Sequence, residues 1–171
     1  MKSHWGELFA LKYFVIFICI ALVFAVIFSA VKPNEIPTSN GELTRKQAEI
    51  LSASHGNKSI KLTVEIANSP QERSLGLSNR SKLETGFGMY FVQPVRELSS
   101  FWMKDMRFPI DIIWIDRGVI VGIDKNCLVP KDQNNIPTFK SPKEVTNVLE
   151  VDAGFSDQNN IKVGDQVKLI N

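Results

Sequence analysis

The sequence predicts a mainly β (α+β) domain, a small β barrel or curled sheet with one or two short helices, preceded by one N-terminal transmembrane helix. Three observations lead there. Apolar and polar residues alternate with period two over several short stretches. Turn residues interrupt the chain every few positions, and few stretches show the 3.6-residue period of a helix. A long uncharged apolar run stands apart near the N-terminus.

That run extends from Tyr13 to Val31 and is bounded by Lys12 and by Lys32-Pro33. At about 1.5 Å per residue, roughly 20 such residues cross a hydrocarbon core of about 30 Å. A cleavable export signal has a shorter apolar region and a small-x-small site. Here Ser29-Ala30 follows Ile27-Phe28, so no such site is present. The run is therefore expected to be an uncleaved, single-pass anchor in the cell membrane, over residues 13–32, after a short tail of residues 1–12. Lys2, Lys12 and the amino terminus precede it, against Glu7 alone. This bias favours an inside N-terminus and an extracytoplasmic C-terminal domain.

Charge then excludes one class of partner. Removing Lys2, Lys12, Lys32 and Glu7 from totals of 20 basic and 18 acidic residues leaves 17 of each. A balanced domain has no basic field for nucleic acid. Cys19 falls in the apolar run and Cys127 is alone beyond it, so no disulfide and no zinc-type spacing exists in the domain. Cys127 reads as a small buried apolar residue. The two histidines, His4 and His55, both precede the expected core, which argues against a Ser-His-Asp or Cys-His device and against a histidine-based metal site. No cofactor or metal is expected.

Residues 33–57, rich in Pro, Ser, Asn and Gly, read as a linker. Within it, Thr44 and Gln47 suggest a capping box and a short helix to about Ser52. The domain is expected over residues 58–171. Ile60, Leu62, Val64 and Ile66 alternate with polar neighbours and predict the first strand. Ser69-Pro70-Gln71-Glu72 predicts a capped helix start, cut short by Gly76. Gly86 to Val92 is a second strand, ended by Pro94, and Ser99 to Met103 a third. Ile110 to Ile115 and Val119 to Asp124 form a hairpin around Asp116-Arg117-Gly118. Residues 126–143 form a long polar loop, of the kind that is often functional. Val145 to Val151 is a strand, Asp152-Ala153-Gly154 a turn, and an alternating strand follows the bend at Gly164-Asp165. An open α+β sheet fits the same pattern.

The stretch richest in candidate chemistry is Phe101 to Asp111, which holds three aromatics, two Met, a Lys, an Arg and two Asp. Period two puts Asp111 on one strand face with Ile113 and Ile115, opposite Ile110, Ile112 and Trp114. A carboxylate on an apolar face needs partners. Lys104, ending the preceding strand, is the expected one. The pair either pins a hairpin or lines a ligand site. Glu150, on a face with Thr146 and Val148, and Arg73, beside Glu72, are further candidates. If Asp111 and Glu150 converge, they become an acid and a base or nucleophile. Trp102, Trp114, Phe101, Phe108 and Tyr90 read as core, or as a stacking platform at a barrel mouth.

A set of short motifs carries a family resemblance. They are Pro70-x-Glu72-Arg73-x-x-Gly76-Leu77, Gly88-Met89-Tyr90-Phe91, Phe101-Trp102-Met103-Lys104, Pro109-Ile110-Asp111, Val148-Leu149-Glu150-Val151-x-Ala153-Gly154 and Val163-Gly164-Asp165. In this order they resemble the uncharacterised domain of unknown function 192 family, from about Leu62 to Val167. The resemblance implies a compact, mainly β domain, often behind an export signal or anchor, and no established activity. Ser78 stands where the family usually has Met, and Asp105-Met106 where it has Asn-Thr.

Three functions follow as expectations. The first is a membrane-tethered extracytoplasmic binding or accessory domain of unknown ligand, with a cell-envelope role as one option and Lys104, Asp111, Arg73, Glu150 and Trp102 as ligand contacts for a glycan, peptide or small polar molecule. The second is a hydrolase of an envelope polymer using Asp111 and Glu150. The third is a structural partner of another membrane protein, through the loop 126–143.

Overall fold

The computed structural model describes residues 43–52, 59–132 and 134–170. The expected anchor at 13–32, the tail before it and both histidines lie outside these residues. Among the described residues, no helix is long and apolar enough to cross a membrane.

Among the described residues, nine strands and two short helices follow one another. They are β1 (Arg45–Leu51), β2 (Ser59–Ala67), α1 (Pro70–Leu75), β3 (Phe87–Glu97), β4 (Ser100–Trp102), β5 (Ile110–Asp116), β6 (Val119–Cys127), β7 (Thr138–Lys140), β8 (Val145–Asp152), α2 (Phe155–Gln158) and β9 (Gln166–Ile170). Seven strands close into a barrel in the order β1-β2-β3-β8-β5-β6-β9, while β4 and β7 pair separately. The barrel closes through β1 and β9, with Ile50 opposite Val167. All neighbours are antiparallel except β2 and β3, where Val64 faces Gly88. A parallel pair needs a crossover, and residues 68–86, with α1, supply it.

The β reading holds, and the barrel form of it is the one adopted. The segment expected as a linker helix near Thr44–Ser52 is instead strand β1. Its Ala48 and Ile50 are fully buried and alternate with Gln47 and Glu49, so the period is two. The barrel thus starts within residues assigned to the linker. β3 continues past Pro94, which sits where the register shifts between Val92 and Glu97, a place that needs no donor from its nitrogen. The loop expected at 126–143 is shorter, because β6 reaches Cys127 and β7 forms inside it. The β5–β6 hairpin turns on two residues, Arg117 and Gly118, both at positive φ (49° and 80°), as its two-residue loop requires.

Period two divides the apolar residues into two cores. Leu62, Val64, Tyr90, Ile113, Ile115, Leu149 and Val151 fill the barrel. On the outer face, Met89, Phe91, Ile112, Trp114 and Val148 pack under Leu77, Leu83, Met103 and Met106. The second core explains β4: it is no barrel strand but part of a cover, with Phe101 edge-on to both Phe91 (4.9 Å) and Trp114 (5.6 Å). Trp114 is buried and its indole N–H donates to Asp124 at 2.7 Å. Cys127 is buried, and burial pushes its thiol up to about 12, which keeps it an unreactive thiol.

Candidate functional site

Asp111 and Lys104 do not form the expected pair. Asp111 is fully buried at the end of the barrel interior, and its carboxylate is held by backbone. Oδ1 accepts the N–H groups of Asn126 at 2.8 Å and Gly154 at 3.1 Å, and Oδ2 accepts that of Ser156 at 2.9 Å. These bonds tie the end of β6 and the start of α2 to β5. Lys104 is exposed and lies over Trp102, with Nζ 5.3 Å from the ring centroid. Lys104 and Asp111 therefore do separate work.

Asp111 and Glu150 do not converge either. In the β5–β8 register Asp111 faces Val151, and Ile112 faces Glu150. Period two then sends Asp111 to the barrel interior and Glu150 to the outer face. Opposite sides of a sheet cannot hold the two carboxylates of one hydrolytic site.

The structure brings together a different set. Between α1 and β4 runs a groove of about 270 Å³, lined by Arg73, Ser74, Gln93, Ser100, Phe101 and Trp102. Its first wall is fixed by sequence signals read correctly. Ser69 Oγ accepts the Glu72 N–H at 3.2 Å, and the Glu72 carboxylate accepts the Ser69 N–H at 2.9 Å and that of Asn68 at 3.0 Å. This capping box holds the Glu72 carboxyl below its usual range, chiefly through the Ser69 N–H. One turn on, Arg73 Nη1 donates to the carbonyls of Asn68 and Val92, which docks α1 on β3. The opposite wall carries Trp102, which is 52% exposed. An indole left half in water beside a cation and an arginine is poor core and a good stacking surface.

A narrow cleft of about 20 Å³ shares Arg73, Ser74, Phe101 and Trp102 with the groove and reaches Leu77, Ser78, Phe91, Met106 and Glu150. Glu150 is 5% exposed. Among the described residues, its carboxyl has no hydrogen-bond or ion-pair partner. Burial pushes its pKa up to about 8, against a smaller opposing pull from Arg80, whose guanidinium is paired with Glu65 at 2.6 Å.

Both departures from the family pattern fall at this cleft. Ser78 Oγ donates to the Lys104 carbonyl at 2.9 Å, and the Asn79 N–H donates to that of Asp105 at 2.8 Å. Ser78 and Met106 line the cleft together. The thioether usual after Gly-Leu is absent at 78, and one is supplied at 106. Asp105 takes φ 57°, a left-handed turn that Asp and Asn tolerate best.

A wider depression of about 510 Å³ lies near α2, between Phe87, Phe108, Pro109, Asp152, Phe155 and Gln158. Asp152, raised by burial, is its one charged wall. It gathers none of the predicted contacts. Of those, Arg73, Trp102 and Glu150 line the narrow cleft together, Arg73 and Trp102 also line the groove, Lys104 flanks it through Trp102, and Asp111 stands apart. Sequence reasoning missed Gln93 and Ser100, whose only signal is position beside these residues.

A closed barrel with a capped outer face and a groove under that cap defines the class. The chain belongs to the DUF192 family, described as "Uncharacterized ACR", whose model matches residues 51–169. Two solved structures share the fold. One is from Sinorhizobium meliloti 1021 and is named a "putative transcription regulator"; it is 28% identical, with a TM-score of 0.68, covering 75% of this chain and 95% of its own. The other, from Novosphingobium aromaticivorans DSM 12444, is of unknown function; it is 25% identical, with a TM-score of 0.67, covering 75% of this chain and 88% of its own. No curated protein matches.

Proposed function

We propose that this protein is a membrane-tethered extracytoplasmic binding module that takes a small polar ligand in the groove between α1 and β4. The observation that carries the reading is convergence. Arg73, Trp102 and Glu150 come from three distant segments and line one groove and its cleft. Trp102 offers a stacking face, and Arg73 and Lys104 supply positive charge for an anionic group. The hydrolase reading loses its support with the separation of Asp111 from Glu150. The regulator description of the S. meliloti protein finds no counterpart in the balanced charge of residues 33–171.

The test is a thermal-shift and titration screen of the full chain in mild detergent, against saccharides, short peptides and amino acids. A ligand of the groove should raise the melting temperature. Trp102→Ala should weaken it about tenfold or more, roughly 1.4 kcal/mol, while the unliganded melting temperature changes little, as for most surface substitutions. Ligands that bind Trp102→Ala unchanged would place the site elsewhere.

The tether rests on the apolar run of residues 13–31. The full chain should stay with the membrane fraction through alkaline extraction, and removal of residues 1–32 should release it. Release of the full chain by alkali would end the anchor reading.

A further inference from the structure

A nearly buried carboxyl with no protein partner among the described residues, whose oxygens meet solvent only through a narrow cleft, needs an explanation, because losing most of its water is costly unless another group replaces it. Glu150 is that group, and its surroundings are informative. β3 and β5 set Met89 and Ile112 beside it, and the cap adds Leu77, Phe91, Phe101 and Met106. None of these can donate a hydrogen bond to it; of the donors that also line the cleft, Arg73 Nη1 is bound to two carbonyls, the Ser78 hydroxyl donates to the Lys104 carbonyl, and Ser74 and Trp102 make no bond to Glu150. The charged and titratable groups on neighbouring elements are few. Arg73 on α1 is bound to two carbonyls, Arg80 in the crossover is paired with Glu65 of β2, Cys127 of β6 is a neutral thiol, and Lys104 and Asp105 after β4 are exposed.

The cleft at Glu150 holds about 20 Å³, above the roughly 10–15 Å³ that one water needs. It fits one water-sized group and no ring or branched chain. Its walls are aromatic: Phe91, Phe101 and Trp102. Aromatic faces and a carboxylate both favour a cation, and an ammonium is a cation of about the size of water. Arg73, which lines both groove and cleft, and the Lys104 ammonium, which lies over Trp102 at the groove's edge, favour an anion. The two ends of the site thus ask for opposite charges on one small molecule.

We propose that Glu150 is the recognition group of this site, its carboxylate accepting hydrogen bonds from the protonated primary amine of a small zwitterionic ligand whose anionic end lies toward Arg73 and Lys104. The assignment rests on the groove being the binding site and names the ligand class it takes. Glu150 loses its proton to solvent as the ammonium enters, so binding near pH 7 releases close to one proton. The raised pKa of the empty site is what makes this release measurable.

The probe is 6-aminohexanoate, whose amine is of the lysine type and charged to about pH 10, compared with its N-acetyl derivative, both titrated calorimetrically into the full chain in detergent. Two buffers of different ionisation enthalpy report the protons released. The amine form should bind at least tenfold more tightly than the acetylated form and release close to one proton at pH 7. Glu150→Gln, which keeps the shape, should lose that preference and the proton release while remaining folded. Trp102→Ala should weaken both compounds. If both compounds bind equally and depend on Trp102, the amine assignment is wrong and the groove stands. If the amine form binds with no proton release, or equally well to Glu150→Gln, Glu150 is not its acceptor. If neither compound binds, the proposed ligand class is wrong, and the wider screen above decides whether the groove is a site at all.

Discussion

At the scale of single residues, Asp111 and Glu150 show two ways of burying a carboxyl. Asp111 keeps its charge satisfied with three backbone N–H groups and needs no cation. Hydrogen bonds to a charged group are worth roughly 1.5–3 kcal/mol each, and an orphaned donor costs about 1–3. In Asp111→Asn, one oxygen becomes an NH₂ that cannot accept, so at least one of the N–H groups of Asn126, Gly154 and Ser156 loses its acceptor. We expect a loss of about 2–4 kcal/mol in urea unfolding, with 6-aminohexanoate affinity unchanged, since Asp111 faces the opposite side of the barrel wall from the groove. A stable variant with impaired binding would return Asp111 to the site. Sequence alone located Asp111 as the carboxylate that needed partners. It could not supply them, because a backbone N–H has no residue type to read. Lys104 was the nearest visible cation, and so it was the natural but mistaken partner.

At the scale of elements, legibility tracked how local the determining force is. The start of α1 was readable because its cap is made by residues three apart, Ser69 and Glu72, with Pro70 between them. β2, β5, β8 and the β5–β6 hairpin were readable from alternation and turn residues. β1 was read as a helix because Thr44 and Gln47 imitate a capping box, while its strand nature comes from pairing with β2 and β9. Those partners bury Ala48 and Ile50 and override a weak local preference. The β4–β7 pair was hidden for a similar reason. Ser100 meets Lys140 and Trp102 meets Thr138 across a long separation, and each strand is only three residues. The same distance effect governs the site. Arg73, Trp102 and Glu150 were each candidates, but their convergence required the crossover and the cap to fold over one outer face. The face itself was predictable: Glu150 was placed with Val148, and Val148 is indeed part of the core beneath that cap.

At the scale of the whole molecule, the unpartnered carboxyl shapes how stability depends on pH. Glu150 has a folded pKa of about 8 against a reference of 4.5. Between those values the folded state holds a proton that the unfolded chain has lost, so stability falls as pH rises through that window and levels off above about 8. At about 1.4 kcal/mol per pKa unit, the full loss is roughly 5 kcal/mol, a large part of the 5–15 kcal/mol typical of a domain. The carboxyls of Glu49, Glu72 and Asp116 act in the opposite sense. Lys168, the Ser69 N–H and Arg96, respectively, lead in holding them below their usual range. What stability they contribute is present above the unfolded carboxylate pKa and is lost in acid. The two trends together place maximal stability in weakly acidic solution, near the unfolded carboxylate range. Urea unfolding of the full chain from pH 4 to 9 should show this maximum, and Glu150→Gln should remove the alkaline decline, ending more stable than the parent at pH 9. Parallel curves for the two proteins would mean that Glu150 titrates normally. A saturating amine should also flatten the decline in the parent, because an ammonium at Glu150 stabilises the charged form that burial alone disfavours. The same group would then lower stability when the site is empty and couple ligand to folding when it is filled.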